Sequence, residues 1–324
     1  MLSKLSNTNF NFVGKIKRFS VISLAIILIG LAVSFFGGVE LDISFSGGTR
    51  LNYTFEGEIN ANEVEDIVGE VIDSPINVIR RTDFVTAAQT ITVELATNEA
   101  LEANYIDEIN ERLAIAFYDN NLQSAGIQAV SPRAGTQLFV MSLWVTGLAL
   151  AVVTLYLGIR FRKIGGFSAG VAALITLIHD VAIAFFAFVI FGIPISESFF
   201  AVVFIILGYS LNSNIVIFDR IREIRVNTGD VMSLRDNTNL AINNTLRRVV
   251  ITTISTVMVA AVMVIVAAIR GLDSIVGFAL PMAIGLFVGG YSSVFLAAPM
   301  WVRWNEMRGK GGKKDKGKKK NSAI

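Results

Sequence analysis

Residues 164–193 read IGGFSAGVAALITLIHDVAIAFFAFVIFGI, thirty residues whose only ionisable side chains are His179 and Asp180. Cut at that pair, the run leaves apolar pieces of 15 and 13 residues, each short of the ~20 that a helix needs to cross a hydrocarbon core. The run is therefore one helix with a polar pair near its middle, and a chain carrying it is a membrane protein.

Working outward, five further apolar blocks cover residues 19–36, 138–159, 199–218, 249–269 and 275–302, which makes the chain a polytopic α-helical membrane protein with six transmembrane helices. The first block follows Lys15, Lys17 and Arg18 and ends in Phe35-Phe36-Gly37-Gly38. It lacks the short apolar core and small-residue cleavage site of a signal peptide, so it is read as an uncleaved helix. Hydrophobic residues make up 53% of the 324, above the ~45–50% of soluble domains. The net charge of +2 hides an asymmetry. Lys4, Lys15, Lys17, Arg18, the Arg160, Arg162 and Lys163 group, the arginines from Arg220 to Arg248 and the tail from Arg303 all fall on one side of the predicted membrane. The positive-inside rule places that side, and both ends of the chain, in the cytoplasm. The resulting plan is a cytoplasmic start at 1–18, a first helix at 19–36, an extracytoplasmic domain at 39–134, helices two to six within 135–302 and a basic tail at 303–324. There is no cysteine. Gly285-x-x-x-Gly289 with Ser292 and Ser293 predicts close helix packing in the last span, and Pro281 predicts a kink there. The Lys- and Gly-rich tail reads as a solvated segment facing anionic lipid.

Between residues 39 and 134 lie 17 acidic and five basic side chains. Strands are predicted at 50–55, 76–81, 90–95 and 127–131, and helices at 63–72 and 101–120, with Asn60, Asn62 and Asn98 as candidate N-caps. Val64, Ile67, Val68, Val71 and Ile72 share one helical face, and Ile106, Ile109, Leu113 and Phe117 recur at spacings of three and four. The order βαββαβ is that of a ferredoxin-like α+β domain, inserted between the first and second spans. The fold alone decides no function.

Three strings carry more. Leu41-Asp42-Ile43-Ser44-Phe45-Ser46-Gly47-Gly48-Thr49-Arg50 follows the first span. Gly208-Tyr209-Ser210-Leu211-Asn212-Ser213-Asn214 runs into Phe218-Asp219-Arg220-Ile221-Arg222-Glu223 in the fourth. Gly285, Gly289, Gly290, Tyr291, Ser292 and Ser293 mark the last. With one helix, an external domain and then five helices, the chain resembles the SecF-type members of the SecD/SecF family, within the resistance–nodulation–division superfamily of gradient-driven transporters. The resemblance spans about residues 15–305. It implies pairing with a SecD subunit into a twelve-helix unit in the bacterial inner membrane. It further implies work beside the SecYEG translocon on translocating preproteins, driven by the proton-motive force or, in some marine relatives, by sodium. YajC is a further candidate partner.

Read as residues, Gly47-Gly48 permits a tight turn, and no Gly-Lys-Ser/Thr follows to make a phosphate loop. There is no H-E-x-x-H, no cysteine nucleophile and a single histidine, so neither enzyme chemistry, a cofactor, a metal nor specific nucleic-acid binding is expected. An intramembrane carboxylate such as Asp180 costs about 2.5–3.5 kcal/mol on insertion scales and faces a bundle interior or water. Its two readings, an ion carrier or a structural hydrogen bond to a neighbouring Ser or Thr, stay open. Asn212 and Asp219 are seven apart on one helix and share a face. Asp219 reads as part of an exposed ion-pair cluster.

The chain departs from the family at Ser213, where the resemblance implies an aspartate of the ion pathway. Its arginine counterpart is kept as Arg248 within Thr245-Leu246-Arg247-Arg248-Val249. Three accounts follow: a SecD carboxylate facing Arg248 with Asp180 supporting a hydrated path, sodium held by hydroxyl and amide oxygens, or a subunit without coupling. Half of a small-molecule or lipid exporter of the same superfamily, and a structural scaffold subunit, are the competing functions.

Overall fold

The computed structural model describes residues 10–72, 74–82, 89–95, 101–162, 166–229 and 231–309. Lys4, Lys163, the proposed cap Asn98 and the tail beyond residue 309 lie outside the described residues.

Six helices are long and apolar enough to cross a membrane. They are α1 (Phe12–Gly37), α5 (Pro132–Arg160), α6 (Gly166–Ile190), α7 (Glu197–Thr228), α8 (Leu234–Ile269) and a final span begun by α9 (Asp273–Ser292). That last span continues through a π-turn at Ser293–Ala297 into α10 (Ala298–Met307). Two extend furthest past their apolar runs. α7 continues past Phe218 to Thr228. α8 begins fifteen residues before Val249, where Ser233 caps it by accepting the Asp236 amide at 3.1 Å. Nothing in residues 234–248 breaks a helix, so the backbone continues where hydrophobicity stops. Pro281 lies inside α9, and the helix runs through it.

α6 is the centre of the bundle and packs against α1, α5, α7 and α9. The core near its end away from the soluble domain joins Phe161 of the α5 C-cap, Phe218 and Ile221 of α7, Ile242 of α8 and Trp301 of α10. The core nearer the soluble domain joins Leu177, Phe188, Val203, Ile206 and Leu286.

The soluble domain holds β1 (Gly48–Phe55), α3 (Ala61–Gly69), β2 (Ile76–Thr82), β3 (Gln89–Leu95), α4 (Ala103–Ala116) and β4 (Gln123–Val130). The sheet order is β2-β3-β1-β4 with every neighbouring pair antiparallel, the ferredoxin-like arrangement expected. Alternate residues of β1 (Leu51, Tyr53, Phe55) and β3 (Ile91, Val93, Leu95) pack on Val64, Val68, Ile109 and Leu113 of the two helices. Asn60 caps α3 by accepting the Asn62 amide at 3.1 Å, so Asn62 is inside the helix and is not its cap. β4 starts at Gln123, four residues earlier than the apolar pattern suggested. It is an edge strand exposed along almost its whole length, so no buried face marked its beginning.

A four-residue helix absent from the sequence reading, α2 (Ile43–Ser46), ties the domain to the bundle. Asp42 caps it through the Ser44 amide at 2.8 Å. The preceding strand-like Leu41 pairs with Ile195 of the α6–α7 loop, with Asp42 N donating to the Ile195 carbonyl at 3.1 Å and Ile195 N to that of Glu40 at 2.9 Å. Phe45 packs between Phe139 and Phe200. Gly47 has φ +81°, and a side chain there would run into Pro132, the first residue of α5. At Gly48 it would run into the Leu95 carbonyl. These glycines thus serve both the turn and a close approach of domain to membrane helix.

Candidate functional site

Asp180 is completely buried near the middle of α6. Its Oδ2 accepts hydrogen bonds from Ser210 Oγ of α7 and Ser292 Oγ of α9, each at 2.8 Å. Its Oδ1 lies 3.0 Å from Nδ1 of His179. Three spans therefore meet on one carboxylate. Among the described residues it is the one acidic side chain buried within the helical bundle.

Small residues make that meeting possible. A Cβ at Gly289 would collide with Ser210 Oγ, at Gly285 with Ile206, and at Gly290 with Thr253. The glycine face of α9 thus lets α7 and α8 come close enough for hydroxyls to reach across. Ser293 Oγ turns back onto the Gly289 carbonyl at 2.8 Å, and Tyr209 donates to Thr253 Oγ1 at 2.6 Å. Ser210 and Asn214 are one helical turn apart and share a face of α7. Asn214 is 1% exposed, yet neither of its amide atoms has a hydrogen-bond partner among the described residues, and the same holds for His179 Nε2. Buried polar groups normally find partners, so a polar track with spare hydrogen-bonding capacity leads away from Asp180.

The other residues singled out by sequence fall elsewhere. Ser213 is buried on α7. Asn212, its neighbour, is on the exposed face. Arg248 is also exposed, on the outer face of α8, with no ion-pair partner among the described residues. Ala241, Ile242, Thr245, Leu246 and Val249 around it are buried, while Arg248 itself is exposed. Arg248 and Asp180 are therefore not in one internal site of this chain. Asp219 pairs with Arg160 at 3.1 Å and Arg222 at 3.3 Å at the bundle end, a partly exposed cluster as expected. Gly208 meets nothing within 4 Å of a built side chain and serves no contact inside the chain. Asp42, besides capping α2, binds Arg50 Nη2 at 3.1 Å, and Arg50 also pairs with the nearly buried Glu94 of β3.

The sequence reading assigned Ser292 a part in close packing of the last span and Ser210 no part of its own. Their hydroxyls sit among other polar residues of the same strings, and pairing across helices is a tertiary fact.

Fold and site together define a six-span helical membrane protein with a ferredoxin-like domain after the first span and a hydroxyl-bound carboxylate at the bundle centre. A family model described as protein export membrane protein SecD/SecF, C-terminal, matches residues 111–307. The chain belongs to the SecD/SecF family and is of the SecF type. The protein translocase subunit SecF of Alicyclobacillus acidocaldarius is 31% identical over 221 residues, 68% of this chain and 69% of that one. The SecF of Petrotoga mobilis is 29% identical across 91% of this chain and 95% of its own length. The crystal structure of SecDF from Thermus thermophilus, a translocon-associated membrane protein, superposes with a TM-score of 0.76 at 25% identity. The match covers 93% of this chain and 39% of that longer one.

Proposed function

We propose that this chain is the SecF-type half of an accessory complex of Sec protein export, that it pairs with a SecD-type subunit, and that Asp180 is the site through which an ion gradient is coupled to preprotein movement. The observation that carries the reading is the buried Asp180, bound by Ser210 and Ser292 where three spans cross. A lone carboxylate at that depth is costly unless it serves a pathway or is fully satisfied. Asn214 and His179 Nε2, buried and without a partner among the described residues, leave hydrogen-bonding capacity for water or an ion. With Ser213 in the family's aspartate position, Asp180 takes the titratable role within this subunit.

Arg248 acts across the interface. Exposed on α8 with no ion-pair partner among the described residues, it takes a carboxylate from the SecD-type subunit when the two halves associate. SecDF chains, in which both halves are one polypeptide, are the precedent: the SecDF of Bacillus subtilis is 31% identical to 61% of this chain, a match covering 26% of the longer protein. The basic residues place both chain ends in the cytoplasm and the acidic domain outside the inner membrane. There the domain meets the preprotein leaving SecYEG, with YajC as a further partner.

The test is preprotein translocation into vesicles holding SecYEG with and without the SecD–SecF pair, under an imposed gradient. The pair is expected to raise translocation only when the gradient is present, and Arg248→Met to remove most of that gain. Equal translocation with and without the gradient would leave the scaffold reading. Repeating the assay with an uncoupler in sodium-containing and sodium-free buffer identifies the ion.

A further inference from the structure

Along the outer face of the bundle, α5 and α6 leave a groove of about 820 Å³, within the ~300–1,000 Å³ of small-molecule sites. Its floor and walls include Gly147, Ala151, Gly158 and Leu174, and Arg162 closes one end. The one other polar group used in the lining, the Thr154 hydroxyl, is spent on the Leu150 carbonyl at 2.7 Å. Leu155, Ile159 and Phe167 form the rim and are 65%, 59% and 79% exposed.

Two features show that the groove is not a by-product of packing. A Cβ at Gly147 or Gly158 would meet nothing within 4 Å. Eleven residues apart, they share one face of α5 three turns from each other. Glycine costs a helix about 1 kcal/mol relative to alanine, and among the described residues no neighbour fills the side-chain position of either one. Gly170 is different, since a Cβ there would lie 3.0 Å from the Thr154 carbonyl where the two helices touch. The second feature is charge. Arg160 is engaged by Asp219 at 3.1 Å, whereas Arg162, two residues on, is exposed and has no partner among the described residues.

The apolar window of α5 has none of its residues buried inside the chain, so this face is open to what surrounds the chain in the membrane. An apolar slot at membrane depth that ends in a free guanidinium matches an acyl chain attached to a phosphate. We propose that the groove is a binding site for an anionic phospholipid, with an acyl chain along Gly147, Ala151 and Gly158 and the phosphate on Arg162. Arginine suits a phosphate because its planar fork donates two parallel hydrogen bonds. The proposal rests on α5 and α6 being membrane spans and not on the coupling reading.

The experiment uses the full chain with its SecD-type partner in nanodiscs of equal phosphatidylglycerol and phosphatidylcholine, with retained lipid identified by native mass spectrometry. The wild type is expected to retain phosphatidylglycerol in preference. Arg162→Gln, an exposed change that leaves the fold alone, is expected to cut that preference about five-fold, the equivalent of about 1 kcal/mol for one basic group at a membrane surface. Gly147→Leu with Gly158→Leu fills the slot and is expected to abolish retention of either lipid. Unchanged retention in both variants, or none in the wild type, overturns the proposal. Because the chain has no cysteine, Gly147→Cys is a clean reporter. Its reaction with a lipid-soluble maleimide supports a lipid occupant, and its cross-linking to the partner subunit instead assigns the groove to a protein helix.

Discussion

Asp180 is held by two serines that reach it from different helices, and each can be removed without filling or emptying much space. Ser292→Ala takes away one donor at 2.8 Å and leaves the carboxylate with fewer partners, which costs about 1–3 kcal/mol for a buried group. Thermal unfolding in detergent is expected to shift down accordingly. Asp180→Asn keeps the size and still accepts from both hydroxyls, so its thermal stability is expected to stay near that of the wild type. Gly289→Ala meets Ser210 directly and is expected to be the most damaging of the three, because the helices must separate to admit a methyl group. The importance of Asp180 was legible in the sequence, since a carboxylate within thirty apolar residues is too costly to stand there without a role. Its partners were not, because a serine on a distant helix carries no mark of where it will point. The outward position of Arg248 was not legible: it stands seven residues after buried Ala241 and three after buried Thr245, so helical phase alone does not turn it away from the interior.

At the level of elements, the short helix α2 and the ion pairs behind it decide how the soluble domain is mounted. Arg50 bridges Asp42, at the membrane exit, and Glu94, which is 3% exposed inside the sheet. Arg50→Met takes the guanidinium from two buried carboxylates, and removing one partner of a buried ion pair is destabilising. The exposed pairs of Arg112 with Glu70 and Glu108 are of a kind worth ~1 kcal/mol or less, so Arg112→Met is expected to change little. Limited proteolysis of the domain in the membrane-bound protein distinguishes the two: faster cutting for the Arg50 variant, wild-type rates for the Arg112 variant. The four strands and two main helices of this domain were legible from alternation and helical periodicity. The start of β4 and the whole of α2 were not. An exposed edge strand has no buried face to betray it, and a four-residue helix is too short for any periodicity. The long polar extension of α8 was missed for a related reason: its first fifteen residues give no apolar run, and only the Ser233 cap marks its true beginning.

Taken whole, the molecule is half of something. Asp180 is bound at its centre, its outer surface exposes Asn212 and Arg248, and a solved relative more than twice as long contains the same unit. Membrane proteins seldom leave an arginine on a lipid-facing helix without a partner or a route to the interface. Six spans and an inserted ferredoxin-like domain were readable from apolar block lengths and pattern. What required the fold was the separation of the two polar features. The sequence reading set Asp180 and Arg248 along one path, and the structure instead sets one inside the chain and the other on its surface, so the proposed function assigns them to separate steps. The most direct test of that division is gradient-stimulated preprotein translocation by SecD–SecF vesicles carrying Asp180→Asn. The account predicts normal assembly of the pair and translocation reduced to the level seen without a gradient. Full gradient stimulation in that variant would contradict it.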